Sequence, residues 1–95
     1  MIQQMFCVYD SKADAYLPPF FLHSDGMALR VFSDCANDLT HQFGKHPEDY
    51  TLFHLGKFDD QTAKIELNET PKSLAVAIEL VKPKNASGSQ IDIED

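Results

Sequence analysis

The segment "TLFHLGKFDDQTAKIEL" (residues 51–67) has the pattern of a β-hairpin. Its first part, residues 51–58, is rich in apolar and aromatic residues, and its last part, residues 63–67, alternates apolar with charged residues. Between them, "DDQT" (59–62) is typical of a turn, because Asp side chains bond the backbone two residues further on. The segment therefore predicts two antiparallel strands.

The register of this hairpin decides which of its side chains share a face. A turn centred on residues 60–61 places Lys57 opposite Lys64, with Phe53 on the same face. Opposed lysines repel unless an anion lies over them, and an aromatic ring beside cations is the pattern of single-strand binders. The same residues also fit lysines that point into water beside a Phe53 that packs in a subunit interface. The opposite, core-facing side is predicted to hold Leu52, His54, Phe58, Ala63, Ile65 and Leu67.

Before the hairpin, residues 25–38 are predicted to form an amphipathic helix. Ser24 can cap its first turn, and apolar residues then recur at spacings of three and four. Arg30 lies on the opposite, polar side. The predicted buried stripe consists of Ala28, Val31, Phe32, Cys35, Ala36 and Leu39.

The flanking segments complete the predicted domain. Residues 5–10 and 15–22 read as a first hairpin, although two prolines restrict the second strand to a sheet edge. The Thr-Pro pair before "KSLAVAIEL" predicts a short C-terminal helix over residues 71–80. We therefore predict one α+β domain, residues 1–83. It has a four-stranded, mostly antiparallel sheet, one long amphipathic helix packed on it and a short C-terminal helix.

Charge and size restrict the possible partners. The chain has 95 residues and a net charge of -7, from 8 Lys and Arg against 15 Asp and Glu, which opposes binding to anionic surfaces. The acids are partly segregated, because residues 86–95 contain acids and no base. We predict that residues 84–95 form a disordered acidic tail, which either solubilises the protein or competes with nucleic acid for a basic surface. No apolar run approaches a membrane span, and so small a domain would gain stability by self-association.

The polar residues do not form a recognisable catalytic or metal-binding motif. The four histidines lack the usual zinc spacings, and the "HPED" turn (46–49), which could in principle converge on a metal, is explained as well by capping and solvation. No nucleophile elbow or glycine-rich phosphate loop is present. Cys7 and Cys35 lie in apolar stretches, which favours reduced structural thiols. We predict no enzyme activity, no cofactor and no metal.

Four segments together resemble the small nonstructural protein of the gokushoviruses, which are single-stranded-DNA microviruses of bacteria. The resemblance covers about residues 6–80, and its most specific part is "HPEDYTLF" followed by "G-x-FDD-x-T". Ala63 stands where this family is expected to have glycine. The segments are "VYDSKADAY" (8–16), "PPFF" (18–21), "HPEDYTLFHLGKFDDQT" (46–62) and "PKSLAVAIEL" (71–80).

The resemblance implies a phage accessory protein of the host cytoplasm. The family is described as DNA-binding, with a part in moving replication from duplex synthesis to single-strand synthesis and packaging, in the manner of the microvirus C protein. We therefore expect a nonenzymatic homo-oligomer that binds single-stranded DNA. The alternative is an adaptor that contacts the phage replication initiator, the procapsid or a host replication factor without touching DNA.

Two sets of residues are candidates for these interactions. The expected DNA surface combines the hairpin face with two further cations, one in the first turn and one on the polar side of the helix: Phe53, Lys57, Lys64, Lys12 and Arg30. The expected oligomer interface combines the proline-containing edge with apolar residues of the hairpin: Phe20, Phe21, Phe53 and Leu55.

Overall fold

The computed structural model describes residues 1–83, which form an antiparallel sheet with helices packed on one of its faces. The strand order is β2-β1-β4-β5, and β3 also pairs with β1. The prediction of an α+β fold with an antiparallel sheet is confirmed, with five strands instead of four. The elements are β1 (Ile2–Asp10), β2 (Ala15–Tyr16), β3 (Phe20–Leu22), α1 (Asp25–Ala36), α2 (Gln42–Lys45), a 3-10 turn (Pro47–Asp49), β4 (Tyr50–Asp59), β5 (Lys64–Val76) and α3 (Ala77–Leu80).

The extra strand arises from the two prolines of the first hairpin. Residues 17–19, which include both prolines, interrupt the predicted second strand, so that β2 and β3 pair separately along one side of β1. Tyr9 is opposite Tyr16, and Met5 is opposite Phe21. Proline has no N–H to give to a sheet ladder, so the interruption falls where a ladder bond cannot form.

Helix α1 begins where its sequence pattern predicts, but the predicted long amphipathic helix is not confirmed, because only Ala28, Phe32 and Ala36 of its predicted stripe are buried. The Ser24 hydroxyl accepts a hydrogen bond from the Met27 N–H at 3.2 Å, and the buried positions follow at intervals of four residues. The helix has 12 residues and ends at Ala36, so it is shorter than predicted. Val31 and Leu39, predicted to be buried, are exposed. The core consists of Phe6, Val8, Ala28, Phe32, Ala36, Tyr50, Leu52 and Ala77.

The predicted C-terminal helix over residues 71–80 is largely wrong. Residues 71–76 continue strand β5, and only Ala77–Leu80 form a helical turn. The local Thr-Pro signal is overridden because β4 offers a paired partner, with Ala75 opposite Leu52 in the sheet. The proline lies where the β4–β5 register shifts, and there the missing N–H removes no regular ladder bond.

The β4–β5 hairpin has a longer turn than the sequence pattern indicates. Lys57 is opposite Glu66 and Asp59 is opposite Lys64, so the predicted pair of opposed lysines does not occur. Ala63 closes the turn with φ 63°, a left-handed conformation that favours glycine. This conformation explains why glycine is expected at that position in the resembling family.

The end of the described chain is tied to α1 by one side chain. The Asn37 side-chain amide donates to the Leu80 carbonyl at 3.0 Å, and its oxygen accepts from the Lys82 N–H at 2.8 Å. The predicted disordered tail, residues 84–95, lies outside the described residues. Among residues 1–83, no helix is both long enough and apolar enough to cross a membrane.

Candidate functional site

The face of the sheet opposite α1 carries aromatic side chains, and we call it the aromatic face. On β1 the even positions, such as Phe6 and Val8, point to the core, and the odd positions point to the aromatic face. Residues opposite one another on neighbouring strands share a face. The residues opposite the odd positions of β1 therefore also lie on the aromatic face. The aromatic face therefore carries Tyr9, Tyr16, Phe21, Phe53 and Phe58.

These five rings form two clusters. Tyr16 lies 4.9 Å from Tyr9 and 5.8 Å from Phe53 between ring centroids, and Phe21 lies 5.5 Å from Phe58. Such spacings are typical of favourable tilted and edge-to-face contacts. Tyr16 is 53% exposed and Phe21 is 40% exposed. Each cluster thus exposes one ring to solvent, and the neighbouring rings pack against it.

The Tyr9 hydroxyl donates a hydrogen bond to the Asp14 carboxylate, and this bond raises the pKa of Tyr9. Lys12 lies in the same β1–β2 turn, where the Asp10 carboxylate accepts from its backbone N–H at 3.0 Å. The turn therefore brings one cation and two carboxylates to the end of the aromatic face. One cation against two carboxylates leaves this end of the face without net positive charge.

A β-bulge in β4 separates two residues that the sequence pattern predicts on one face. Phe53 is opposite Cys7, on the aromatic face, whereas Lys57 is opposite Gln4, on the core side of the sheet. Leu55 is the extra residue that shifts the register between them. Because strand side chains alternate, one extra residue reverses the faces of all residues beyond it. The expected surface that combines Phe53 with both hairpin lysines is therefore not formed.

A polar network centred on the buried His54 holds the bulge. His54 is 9% exposed, and its Nε2 lies 2.8 Å from the Gln4 side-chain oxygen. The Asn68 side-chain amide donates to the His54 carbonyl at 3.0 Å and lies 2.9 Å from His54 Nδ1. Because the amide nitrogen can only donate, Nδ1 accepts and Nε2 carries the proton that Gln4 accepts. Every polar atom of the ring is thus satisfied inside the sheet.

We expect Asn68→Ala to lower the free energy of unfolding by roughly 1 to 3 kcal/mol, since it leaves His54 Nδ1 buried without a donor. Chemical denaturation measures the change. Glu69→Ala, at the neighbouring exposed position, serves as the control and should stay within about 0.5 kcal/mol of the parent. Equal stability of the two variants would show that the network does not hold the bulge.

The lysines of the hairpin line a cleft at the distal end of the sheet. This cleft has a volume of about 380 Å³ and is bordered by Lys57, Lys64, Asp59 and Glu66 together with Ile2 and Ile65. Two cations and two anions leave it without net charge. Arg30 is exposed on α1, on the helix side of the sheet. The structure thus brings Lys57 and Lys64 together, but leaves them apart from Phe53 and Lys12.

A second, apolar groove of about 290 Å³ lies on the aromatic face. Its lining contains no charged residue and consists of Cys7, Tyr16, Leu17, Pro19, Leu55 and Pro71. Leu55, a predicted interface residue, belongs to this groove, and Phe21 and Phe53 lie on the same face. Phe20 points the other way and stacks on Phe6 at 5.7 Å, as part of the core packing. Phe20 therefore drops out of the candidate interface.

Both cysteines are free thiols. Burial raises the pKa of Cys7, and burial together with the neighbouring Asp34 and Asp38 carboxylates raises that of Cys35. Both thiols are therefore protonated at neutral pH and are poor nucleophiles. Within residues 1–83, no group of three or more His, Cys, Asp or Glu side chains is placed to hold a metal ion.

Sequence reasoning missed three contributors to this surface. Tyr9 and Tyr16 carry a signal, because two tyrosines flank one tight turn and can face each other across a hairpin. Asn68 carries none, because its role depends on a bulge that periodicity does not reveal.

Comparison with known protein families gives a match over most of the chain. The family described as "Phage ORF5 protein" matches residues 3–80, which include nearly all of the described sheet and its helices. No curated protein and no solved structure gives a significant match.

Proposed function

The chain belongs to the Phage ORF5 protein family, and from this premise we propose that it is a nonenzymatic phage accessory protein that binds single-stranded DNA. In this proposal it acts as a homo-oligomer in the host cytoplasm and helps to switch replication from duplex synthesis to single-strand synthesis and packaging. The resemblance to the gokushovirus nonstructural protein supports this role.

The aromatic face is the observation that carries the DNA-binding proposal. Single-strand binders stack bases on aromatic side chains of a sheet, and each stacked base contributes about 1 to 3 kcal/mol. Tyr16 and Phe21 are the exposed rings, and Phe53 supports Tyr16 from the neighbouring strand. A strand crossing this face could stack on both clusters.

The positions of the cations indicate how much of the binding free energy would come from base stacking and how much from phosphate contacts. Lys12 is the cation nearest in sequence to the stacking rings, whereas Lys57, Lys64 and Arg30 point to the other side of the sheet. We therefore propose that stacking dominates and that few phosphates are neutralised. The salt dependence of binding should accordingly be shallow, because its slope follows the number of neutralised phosphates.

We expect Tyr16→Ala to weaken binding to a fluorescently labelled single-stranded oligonucleotide by roughly 5- to 150-fold, the equivalent of one lost stack. Fluorescence anisotropy at low and high salt measures both the affinity and its slope. Leu39→Ala is the control, since this exposed apolar residue follows α1 and lies away from the aromatic face. Deletion of residues 86–95 should strengthen binding modestly, because it removes three acids and no base.

An unchanged affinity in both Tyr16→Ala and Phe21→Ala, one variant for each cluster, would exclude the aromatic face as the DNA site. If Lys57→Ala with Lys64→Ala weakened binding instead, the distal cleft would replace it. An absence of binding even without residues 86–95 would contradict the DNA-binding proposal altogether.

The second candidate function is a protein-interaction adaptor for the phage replication initiator, the procapsid or a host replication factor. The uncharged apolar groove favours it, because such grooves suit apolar peptide side chains better than phosphates. The anisotropy experiment separates the two candidates, since an adaptor would not bind the oligonucleotide.

A further inference from the structure

The outer edge of β5 is available for pairing with another strand. In the described part of the chain, β5 is the last strand of the sheet path. Its first residues, Lys64–Leu67, are all exposed, and Ile65 and Leu67 are 57% and 67% exposed. We call residues 64–67 the edge segment. An exposed strand edge with apolar side chains and no proline is a template for pairing with a further strand.

We propose that the edge segment pairs antiparallel with the edge segment of a second copy of this chain, with Ile65 opposite the second copy's Ile65. Two sheets would then join into one continuous sheet across a two-fold axis. This inference specifies the self-association part of the proposed function and does not depend on DNA binding.

Backbone geometry limits the pairing to a few registers. The N–H and C=O groups of alternate residues point to the same edge of a strand, so opposed residues must point the same way. In a symmetric antiparallel pair the axis must therefore pass beside a residue, not between two residues. Within the edge segment the central candidates are Lys64, Ile65 and Glu66, because the regular pairing of β5 with β4 stops at Leu67 and an axis there would have regular strand on one side only.

Charge selects one of these three registers. An axis at Lys64 opposes the two copies of Lys64, and an axis at Glu66 opposes the two copies of Glu66, and both arrangements repel. An axis at Ile65 instead places Glu66 opposite the second copy's Lys64, twice by symmetry. The sequence Lys-Ile-Glu is thus complementary to itself only about its central residue.

The charged residues of β4 that lie opposite the edge segment extend this complementarity across the sheet. Within one chain, Lys57 is opposite Glu66 and Asp59 is opposite Lys64. With the axis at Ile65, each row across the joined sheet reads Lys57, Glu66, the second copy's Lys64 and the second copy's Asp59. Charge therefore alternates through four strands. This alternation offsets locally the repulsion between two chains that each carry a net charge of -7.

The other face of the joined sheet is apolar. Ile65 is opposite Phe58, which belongs to the aromatic face. The central row therefore reads Phe58, Ile65, the second copy's Ile65 and the second copy's Phe58. Pairing would cover part of the exposed Ile65 and would join two aromatic faces into one surface.

Charge reversal tests the pairing through sedimentation velocity at high micromolar concentration. Lys64→Glu should weaken self-association at least about tenfold, because the introduced carboxylate would face the second copy's Glu66, twice by symmetry. Glu66→Lys should do the same, because the introduced ammonium group would face the second copy's Lys64. An equimolar mixture of the two variants should associate again, because in the mixed dimer both opposed pairs of positions 64 and 66 have opposite charges.

The double variant that carries both Lys64→Glu and Glu66→Lys restores opposite charges across the interface between two identical copies. Each introduced carboxylate would then face an introduced ammonium group of the second copy, so association should return to within about threefold of the parent. Two single reversals that weaken association and a double reversal that restores it are the expected result. A double variant as weak as the single variants would overturn the register at Ile65.

The exposed charges of a distant segment provide matched controls. Lys45→Glu and Glu48→Lys make the same changes away from the edge segment and should leave association unchanged. A parent protein that remains monomeric would overturn both the pairing and the proposed homo-oligomer. A parent that associates while neither reversal weakens it would overturn the pairing alone, and would move the interface elsewhere.

A cysteine pair checks the register independently of charge. Directly opposed antiparallel residues have Cα atoms about 4.5 to 5.5 Å apart, within the range of a disulfide. Ile65→Cys should therefore form a covalent dimer with oxidised glutathione, visible on a nonreducing gel, while Leu67→Cys, which would face the second copy's Ala63, should form much less. Equal yields from both variants would contradict an axis at Ile65.

Discussion

Phe32→Ala is expected to lower the free energy of unfolding by roughly 3 to 5 kcal/mol, through lost burial and the cavity it leaves. Phe32 is 2% exposed and contacts Phe43 at 5.5 Å between ring centroids, in the core between α1 and the sheet. Small domains have only about 5 to 15 kcal/mol of stability in total. Thermal or chemical unfolding should therefore show a variant that is barely folded.

Val31→Ala is the matched control, because it truncates the adjacent residue of the same helix. Val31 is 47% exposed, so its loss should change the stability by about 0.5 kcal/mol or less. If the two variants unfolded alike, α1 would be rotated relative to the packing described above. The pair thus tests which side of the helix faces the sheet.

The same two residues show how far the sequence could predict the fold. The three-and-four spacing identified α1, its Ser24 cap and the burial of Ala28 and Phe32, because these depend on local periodicity. It also predicted burial of Val31, which is exposed because the contact with the sheet is narrower than the apolar stripe, and of Leu39, which is exposed because α1 already ends at Ala36. Spacing along a helix does not reveal how wide its covering layer is.

Strand β5 shows where local signals fail. Residues 71–76 have a helix-start signal and helix-forming residues, yet they extend the sheet because β4 supplies a partner along this length. The stabilisation that this strand pairing provides depends on residues distant in sequence, so local propensity cannot predict it. The C-terminal helix was accordingly predicted six residues too early.

The prediction of the candidate site was wrong because of a single extra residue in β4, Leu55. Phe53 and Lys57 are four positions apart, so regular alternation places them together, and the bulge at Leu55 places them on opposite faces. The sequence did indicate aromatic residues and lysines as surface groups of the hairpin. It could not indicate which groups share a surface, since that depends on one backbone irregularity.

Gly56 is the residue whose backbone space makes this irregularity possible. A Cβ atom at Gly56 would lie 2.2 Å from the Glu66 carbonyl oxygen and 2.8 Å from the Leu67 Cα, so β4 and β5 approach too closely there for any side chain. The φ angle of Gly56 is not positive. Glycine is therefore needed here because a side chain would not fit, and not because of the backbone conformation. Both contacts are with backbone atoms, which cannot rotate away as a side chain could.

Gly56→Ala is therefore expected to lower the free energy of unfolding by roughly 1 to 3 kcal/mol or more, because the two strands must separate to admit the methyl group. Gly26→Ala is the control, since its Cβ would meet only the Ser24 hydroxyl at 3.8 Å, an ordinary contact. Gly26 lies in α1, where alanine is favoured over glycine by up to about 1 kcal/mol, so the same substitution should leave the protein as stable or more stable. Denaturation of both variants in parallel measures this opposite response. A Gly56→Ala protein as stable as the parent would mean that β4 and β5 are further apart at this position than described.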